Sequence, residues 1–250
     1  MKFWLFLAGV LFMAQPVLAQ SSAVSGGDDV VLLHGIGRTS DCMSKLQTAL
    51  ELQGYRVLNI DYPSRQDTIS NLADQMEEQI KAFSADKSRK LHFVGFSMGG
   101  LVARAYIHRH RPENLGRVVL MGTPNQGSEV ADFLDGFPLF DWFYGPAGKE
   151  LTTAFNRDAV FGVPDYPVGV IAGTWTVDPV SYYIIPGAND GKVSVDRTTV
   201  EGMADKTVLP VTHAFMPLNA TVIAATLAFL KEGAFPKLKK QPVTGAQFNN

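Results

Sequence analysis

A single cysteine, Cys42, stands in the whole 250-residue sequence. An intramolecular disulfide is therefore excluded, and so is a metal site built from thiolates. Cys42 falls in a predicted helix without the local signature of a reactive thiol, so a packed, partly buried side chain is expected there. Charge of one sign is also scarce. Lys and Arg number 22 against 24 Asp and Glu, the net charge is −2, and no long basic or acidic run occurs. Nucleic acid is accordingly not an expected partner. There is no G-x-x-x-x-G-K-[ST] phosphate loop and no H-E-x-x-H zinc helix, and the glycine-rich run 95–100 lacks the spacing of a dinucleotide fingerprint. Neither a cofactor nor a metal is expected.

The first residues read as a leader. Lys2 gives a small positive region, 3–14 are apolar, and Val17-Leu18-Ala19 offers a small-x-small cleavage site with valine tolerated at its first position. The apolar run is short for a membrane span. Residues 1–19 are expected to be a signal peptide cleaved after Ala19, which places the protein in the periplasm or outside the cell. Gln20, not cysteine, follows the site, so lipidation there is not expected.

With 46% hydrophobic residues, what remains suits one sizeable core. Residues 29–33 form a near-continuous apolar run, as in a strand buried on both faces. A helix is predicted over 41–53, a strand over 55–60 and a helix over 68–83, where Ile69, Leu72, Ala73, Met76 and Ile80 recur at helical spacing. A strand at 91–94 and a helix ended by Pro112 follow. Strands at 117–122, 168–172 and 206–209 and a helix at 220–230 complete the series. Such alternation predicts an α/β fold: a doubly wound, mostly parallel sheet with helices on both faces. The domain is expected over 20–232, with 233–250 a loosely packed tail. The stretch 127–167 breaks the alternation and carries Phe133, Phe137, Leu139, Phe140, Trp142, Phe143 and Tyr144. It is longer than a simple crossover and reads as an insertion over the site. Its aromatics fit either a satellite core or an apolar lid and acyl-binding wall, and the sequence alone does not divide them.

Chemistry enters at Gly95-Phe96-Ser97-Met98-Gly99, a G-x-S-x-G between an apolar strand and a helical pattern. In that setting the serine occupies a sharp strand-to-helix turn, the nucleophile elbow. A serine hydroxyl needs a base, a group that orients the base, and donors for the oxyanion. Of five histidines, His34 belongs to a loop after the first strand. His92 lies inside a strand and is expected to pack between sheet and helix. His108 and His110 end a helix among arginines, where exposure is expected. His213 stands in a loop before the last helix and is the candidate base. The acid should lie between serine and histidine in chain order. Asp190, before Gly191 in a tight turn, is the candidate, with Asp178 and Asp196 as rivals. Backbone N–H groups of Met98 and of Ile36, in His34-Gly35-Ile36-Gly37, are the candidate oxyanion donors.

Leu33-His34-Gly35-Ile36-Gly37, Asp61-Tyr62-Pro63, Val94 to Gly100, Gly122-Thr123-Pro124-Asn125-Gln126-Gly127-Ser128, Asn189 to Val193 and Thr212-His213 occur in the order seen in α/β-hydrolases. The chain resembles their lipase-like branch, which includes bacterial triacylglycerol lipases and inositol-deacylase-like lipases. The resemblance implies a triad of Ser97, Asp190 and His213, oxyanion donors at Ile36 and Met98, and hydrolysis of a carboxylic ester through an acyl-enzyme without a cofactor. The implied partner is a small ester or lipid, with transient contact to a lipid surface through the aromatic insertion. Phe96 stands where many members have histidine, and the disulfide and calcium ligands of some secreted lipases are missing. An acyltransferase using the same acyl-enzyme and a non-catalytic binding protein on the same fold are the alternatives. N-terminal sequencing of the exported protein is expected to begin at Gln20; a terminus at Met1 refutes cleavage.

Overall fold

The computed structural model describes residues 27–137 and 140–237. The expected leader and the last part of the expected tail lie outside them. Six strands make one sheet: β1 Asp29–Leu33, β2 Arg56–Ile60, β3 Leu91–Phe96, β4 Leu115–Met121, β5 Val168–Gly173 and β6 Asp205–Leu209. All pairings are parallel, in the order β2-β1-β3-β4-β5-β6. The connections carry α1 Ser44–Leu52, α2 Ile69–Gln75, α3 Glu77–Phe83 and α4 Met98–His110. Then come α5 Glu129–Asp135, α6 Phe140–Tyr144, α7 Pro146–Lys149, α8 Asp158–Phe161, α9 Pro179–Ile184 and α10 Ala220–Glu232.

Side chains alternate across the sheet and divide the core in two. Val31 and Leu33 of β1 and Phe93 of β3 pack with Leu72 of α2, Ile80 of α3 and Tyr106 of α4. Val30, Leu32 and Val94 pack on the other face with Leu46 and Leu50 of α1 and Phe229 of α10. β1, β3 and β5 are buried along their whole length, which explains their unbroken apolar runs. The chain winds outward from β1 to β2, then returns to β3 on the other side of β1. This reversal opens a crevice beyond the carboxyl ends of β1 and β3, where such sheets bind ligands.

Several expectations are refined. The helix predicted over 68–83 is two helices, since at Met76 the backbone tightens to an i−3 bond with Ala73 O, 3.3 Å. Both Met76 and Ile80 still reach the core. His110 is not simply exposed: its ring bridges Asp74 at 2.8 Å and Glu77 at 3.1 Å, tying α4 to α2 and α3. His92 is buried in the sheet, and its Nδ1 accepts the Arg117 N–H at 2.8 Å in place of a ladder carbonyl. The β3–β4 register slips between Leu91 and Phe93 at that point. The segment after Gly233 is anchored at its start: Phe235 is buried against Phe229, and its N–H donates to Asp205 at 2.8 Å.

A buried cation joins α4 to the loops behind the crevice. Arg104 is 2% exposed and donates to Asn125 Oδ1 at 3.0 Å and to the Gly162 carbonyl at 2.5 Å. Asn125 in turn donates to the Thr198 carbonyl at 2.7 Å. Arg104→Met removes the donors and strands Asn125 Oδ1, so a loss of about 3 kcal/mol is expected. Urea unfolding should show it as a lower midpoint at unchanged slope; a change under about 1 kcal/mol would show the brace to be dispensable.

Candidate active site

Ser97 joins β3 directly to α4 with φ 56° and ψ −125°, one of two described non-glycine residues at positive φ. The strain persists because the surroundings leave no alternative. The Ser97 N–H still donates to Met121 O at 2.8 Å, which fixes the serine to the end of β4. The neighbouring glycines exist for lack of space. A Cβ on Gly95 would lie 2.4 Å from the Gly100 backbone, one on Gly99 2.2 Å from Leu33 O, and one on Gly100 2.0 Å from Thr123 Oγ1.

Strand ends remote in sequence deliver the partners. His213 Nε2 lies 2.9 Å from Ser97 Oγ, and His213 Nδ1 lies 2.7 Å from Asp190 Oδ2. A carboxylate only accepts, so Nδ1 carries the proton and Nε2 is free to accept from the serine hydroxyl. Asp190 is itself held: its Oδ1 accepts from the N–H groups of Lys192 at 2.9 Å and Val193 at 2.8 Å, and its carbonyl accepts from the His213 N–H at 2.8 Å. Its side chain is fully buried. Of the rival acids, Asp178 caps α9 by accepting from Val180 N–H at 3.0 Å, and Asp196 begins the 3-10 turn Asp196–Thr198. The Phe96 ring packs at 5.1 Å on the His213 ring. Gly122, at φ 56°, closes β4 under this pair, where a Cβ would come within 3.1 Å of both Asp190 Oδ2 and His213 Nδ1.

The loop after β1 packs directly against Ser97. Gly35 touches the elbow, since a Cβ there would lie 3.1 Å from Ser97 Cβ. His34 behind it is fully buried and stacks on Tyr62 at 4.1 Å. Its Nδ1 faces the Gly35 carbonyl at 2.9 Å, and its Nε2 accepts the Tyr62 N–H at 3.3 Å. Burial holds the His34 pKa below its ordinary value, which keeps the ring neutral, as this bonding pattern needs. Burial also pushes the Tyr62 phenol far up, so its hydroxyl remains a donor to the His34 carbonyl. Thus the Asp61-Tyr62-Pro63 turn pins the loop that carries Ile36. Met98 is the first residue of α4, so its N–H has no intrahelical acceptor. Among the described residues, neither the Ile36 nor the Met98 N–H donates to another group.

A cavity of about 560 Å³ opens beside Ser97, Asp190 and His213. The insertion supplies Val130, Leu134, Phe140, Tyr144 and Leu151 to its wall, and Val177 and Phe215 flank the mouth. The aromatics of the insertion are therefore divided: Phe140 is buried and Tyr144 half-buried at the cavity, whereas Phe133, Phe137 and Trp142 face outward. Leu139 lies outside the described residues. Sequence reasoning passed over Ser128, which caps α5 and donates its hydroxyl to the Lys192 carbonyl at 2.8 Å, fastening the insertion to the turn that holds Asp190. Its position one residue before an Asp/Glu-led helical start was the available signal.

A parallel sheet with a serine elbow after its third strand, and a histidine and a carboxylate carried by loops after later strands, defines an α/β-hydrolase of the lipase and esterase type. The mature form of the Bacillus licheniformis lipase BlEst2 shares this fold, with a TM-score of 0.62 at 22% identity over 86% of this chain and 93% of that one. A family model described as palmitoyl protein thioesterase matches residues 29–158, and the chain belongs to that family. The matched part contains Ile36, Ser97 and Met98, while Asp190 and His213 lie beyond it. A triacylglycerol lipase of Burkholderia plantarii is 28% identical over 165 residues, 62% of this chain and 45% of the lipase. A triacylglycerol lipase of Pseudarthrobacter phenanthrenivorans is 30% identical over 142 residues, 53% of this chain and 43% of that one. The chain thus spans less than half the length of these two curated relatives.

The strain at Ser97 is measurable. Ser97→Gly and Ser97→Ala both remove the hydroxyl, but only glycine relaxes the positive φ. Allowing for the extra freedom of unfolded glycine, Ser97→Gly is expected to be about 1 kcal/mol more stable than Ser97→Ala in denaturant titrations. Equal stability would mean that the turn stores no strain.

Proposed function

We propose that this chain is an exported serine hydrolase that cleaves lipid-like carboxylic esters through an acyl-enzyme on Ser97. One observation carries the reading: a continuous relay from Ser97 Oγ through His213 to buried Asp190, at the mouth of an apolar-walled cavity. In the first half-reaction His213 Nε2 takes the hydroxyl proton as Ser97 Oγ bonds to the ester carbonyl carbon. The carbonyl oxygen becomes an oxyanion that accepts from the unused N–H groups of Ile36 and Met98, each worth about 3 kcal/mol of transition-state stabilisation. Collapse breaks the bond to the leaving oxygen, which takes the proton from His213. Water then repeats the sequence on the acyl-serine, releasing the acid and restoring Ser97. Asp190 holds the imidazole in the required tautomer and offsets its charge while it is protonated.

The acyl chain would lie along Val130, Leu134, Phe140 and Tyr144, which supports reading 127–167 as an acyl wall and lid-like cover over the hydrolase domain of 20–232. The family's description brings an acyl thioester within range, since the same acyl-enzyme forms with a thiolate as leaving group. Outward-facing Phe133, Phe137 and Trp142 on this cover, with Phe215 at the mouth, suit transient contact with a lipid surface. The Val17-Leu18-Ala19 site supports export.

A fluorophosphonate probe is expected to label the wild-type protein and not Ser97→Ala. Asp190→Asn should lower kcat on a medium-chain ester by about 10⁴-fold while leaving the fold intact by circular dichroism. Absence of Ser97-dependent labelling in folded protein would leave a binding module on the hydrolase fold as the better reading.

A further inference from the structure

The apolar side of the cavity has a near end and a far end, and α5 spans the distance between them. Ser128 caps the start of α5 and donates its hydroxyl to the Lys192 carbonyl, two residues from Asp190, so this end of the helix is fixed beside the relay to Ser97. Val130, Ala131 and Leu134 line the cavity along the helix. A helix of seven residues extends about 10 Å. Two turn bonds then carry the backbone round the end of α5: the Phe137 N–H donates to Leu134 O at 2.9 Å, and the Phe140 N–H to Phe137 O at 2.9 Å. Phe140 therefore joins the cavity wall at the end of α5 remote from Ser128.

The Phe140 ring is held in place from several sides. It is only 4% exposed. Tyr144, one helical turn on, packs against it with ring centroids 5.0 Å apart. Gly148 of α7 lies so close that a Cβ there would come within 3.2 Å of the ring, which leaves it no room to swing that way. Lys149 Nζ stands 5.4 Å from the ring centroid and pairs with Asp135, the last residue of α5. The ring thus stands between the apolar cavity, which neither Lys149 nor Asp135 lines, and a partly exposed ion pair. An alkyl chain that reached the ring could go further only by displacing it and pressing methylenes against two charges, which both burial of charge and crowding oppose.

We infer that Phe140 is the stop of the acyl site, and that the protein selects acyl groups of about eight carbons, whose extended length matches the wall formed by α5. The inference rests on the acyl-enzyme reading of Ser97 for its direction, but it can be measured separately. A hexadecanoyl chain, about twice as long, would leave its distal half outside this wall. Phe140 meets the far end of the substrate and takes no part in making or breaking bonds, so its signature is a change in chain-length preference.

The test compares 4-nitrophenyl butyrate, octanoate and laurate, used below their micelle concentrations. From butyrate to octanoate, kcat/KM is expected to climb by about fourfold per added methylene as each is buried, and then to be at least about tenfold lower for laurate. Phe140→Leu and Phe140→Ala remove the stop and should raise the laurate-to-octanoate ratio by about tenfold or more. A ratio cancels any general loss of folded enzyme, and the apolar swap Phe140→Leu serves if Phe140→Ala does not fold. Calorimetric binding of methyl octanoate and methyl laurate to Ser97→Ala makes the same comparison without turnover. Octanoate is expected to bind about tenfold tighter, and the preference to vanish once Phe140→Leu is added. Laurate cleaved as well as octanoate by the wild type, or a ratio unmoved in folded Phe140→Leu, would overturn the stop. If no ester is turned over but octanoate binds tighter and Phe140→Leu removes the preference, the stop stands and the hydrolase reading falls. If kcat/KM climbs through laurate in a Ser97-dependent way, the hydrolase reading stands and the stop falls.

Discussion

No Cβ fits at Gly95, Gly99 or Gly100, where β3 turns into α4, and the rest of the site follows from that crowding. The backbones of β1, β3 and α4, with the Thr123 side chain, meet there at distances that a methyl group would violate. This forces Ser97 into its unusual backbone angles, turns its hydroxyl out of the sheet and sets the first free N–H of α4 behind it. The same contact draws the Gly35 loop against the elbow, so both groups of N–H donors share one wall of the crevice. A looser junction would let Ser97 relax toward ordinary angles and carry its hydroxyl away from His213.

Two half-cores meet at this junction. Met98 belongs to the face covered by α2, α3 and α4, whereas Phe96 and Met216, beside His213, belong to the face covered by α1 and α10. Ser97 and His213 thus rest on opposite layers, with the sheet as their common reference. Asp190 is fixed by backbone bonds within its own turn, Ser128 ties that turn to the insertion, and the Arg104–Asn125 pair ties α4 to the 3-10 turn Asp196–Thr198. Positioning is carried by buried, hydrogen-bonded polar groups such as Asp190, Ser128 and Asn125, which favour a single geometry.

Much of this was legible in the residues themselves. Strands such as 29–33 are apolar on both faces, so their place inside a parallel sheet could be read directly. The elbow was legible because its glycines are dictated by local contact, which leaves a local signature. His213 and Asp190 were reachable through chain order and turn chemistry, although their distances to Ser97 depend on three later strands. What escaped was set by tertiary neighbours. His92 bonds to a strand backbone, His110 bridges acids on two other helices, and Phe235 docks in a part of the chain that reads as polar tail. The aromatics of 127–167 are alike in composition, and only the folded insertion separates Phe140 and Tyr144 from Phe133 and Trp142. The break at Met76 left no proline or glycine as a marker.

Ser97 and His213 lie 116 residues apart along the chain, and their hydrogen bond closes only after β4, β5 and β6 have docked in order. Parallel pairing of this kind needs long loop closures before any contact repays them, so the sheet is expected to assemble slowly relative to helical proteins of its size. The elbow can form early from local contacts, but a competent serine cannot. On the proposed mechanism, reactivity at Ser97 would be a late event in folding, and its appearance during refolding would time the docking of the last strands, not the collapse of the core.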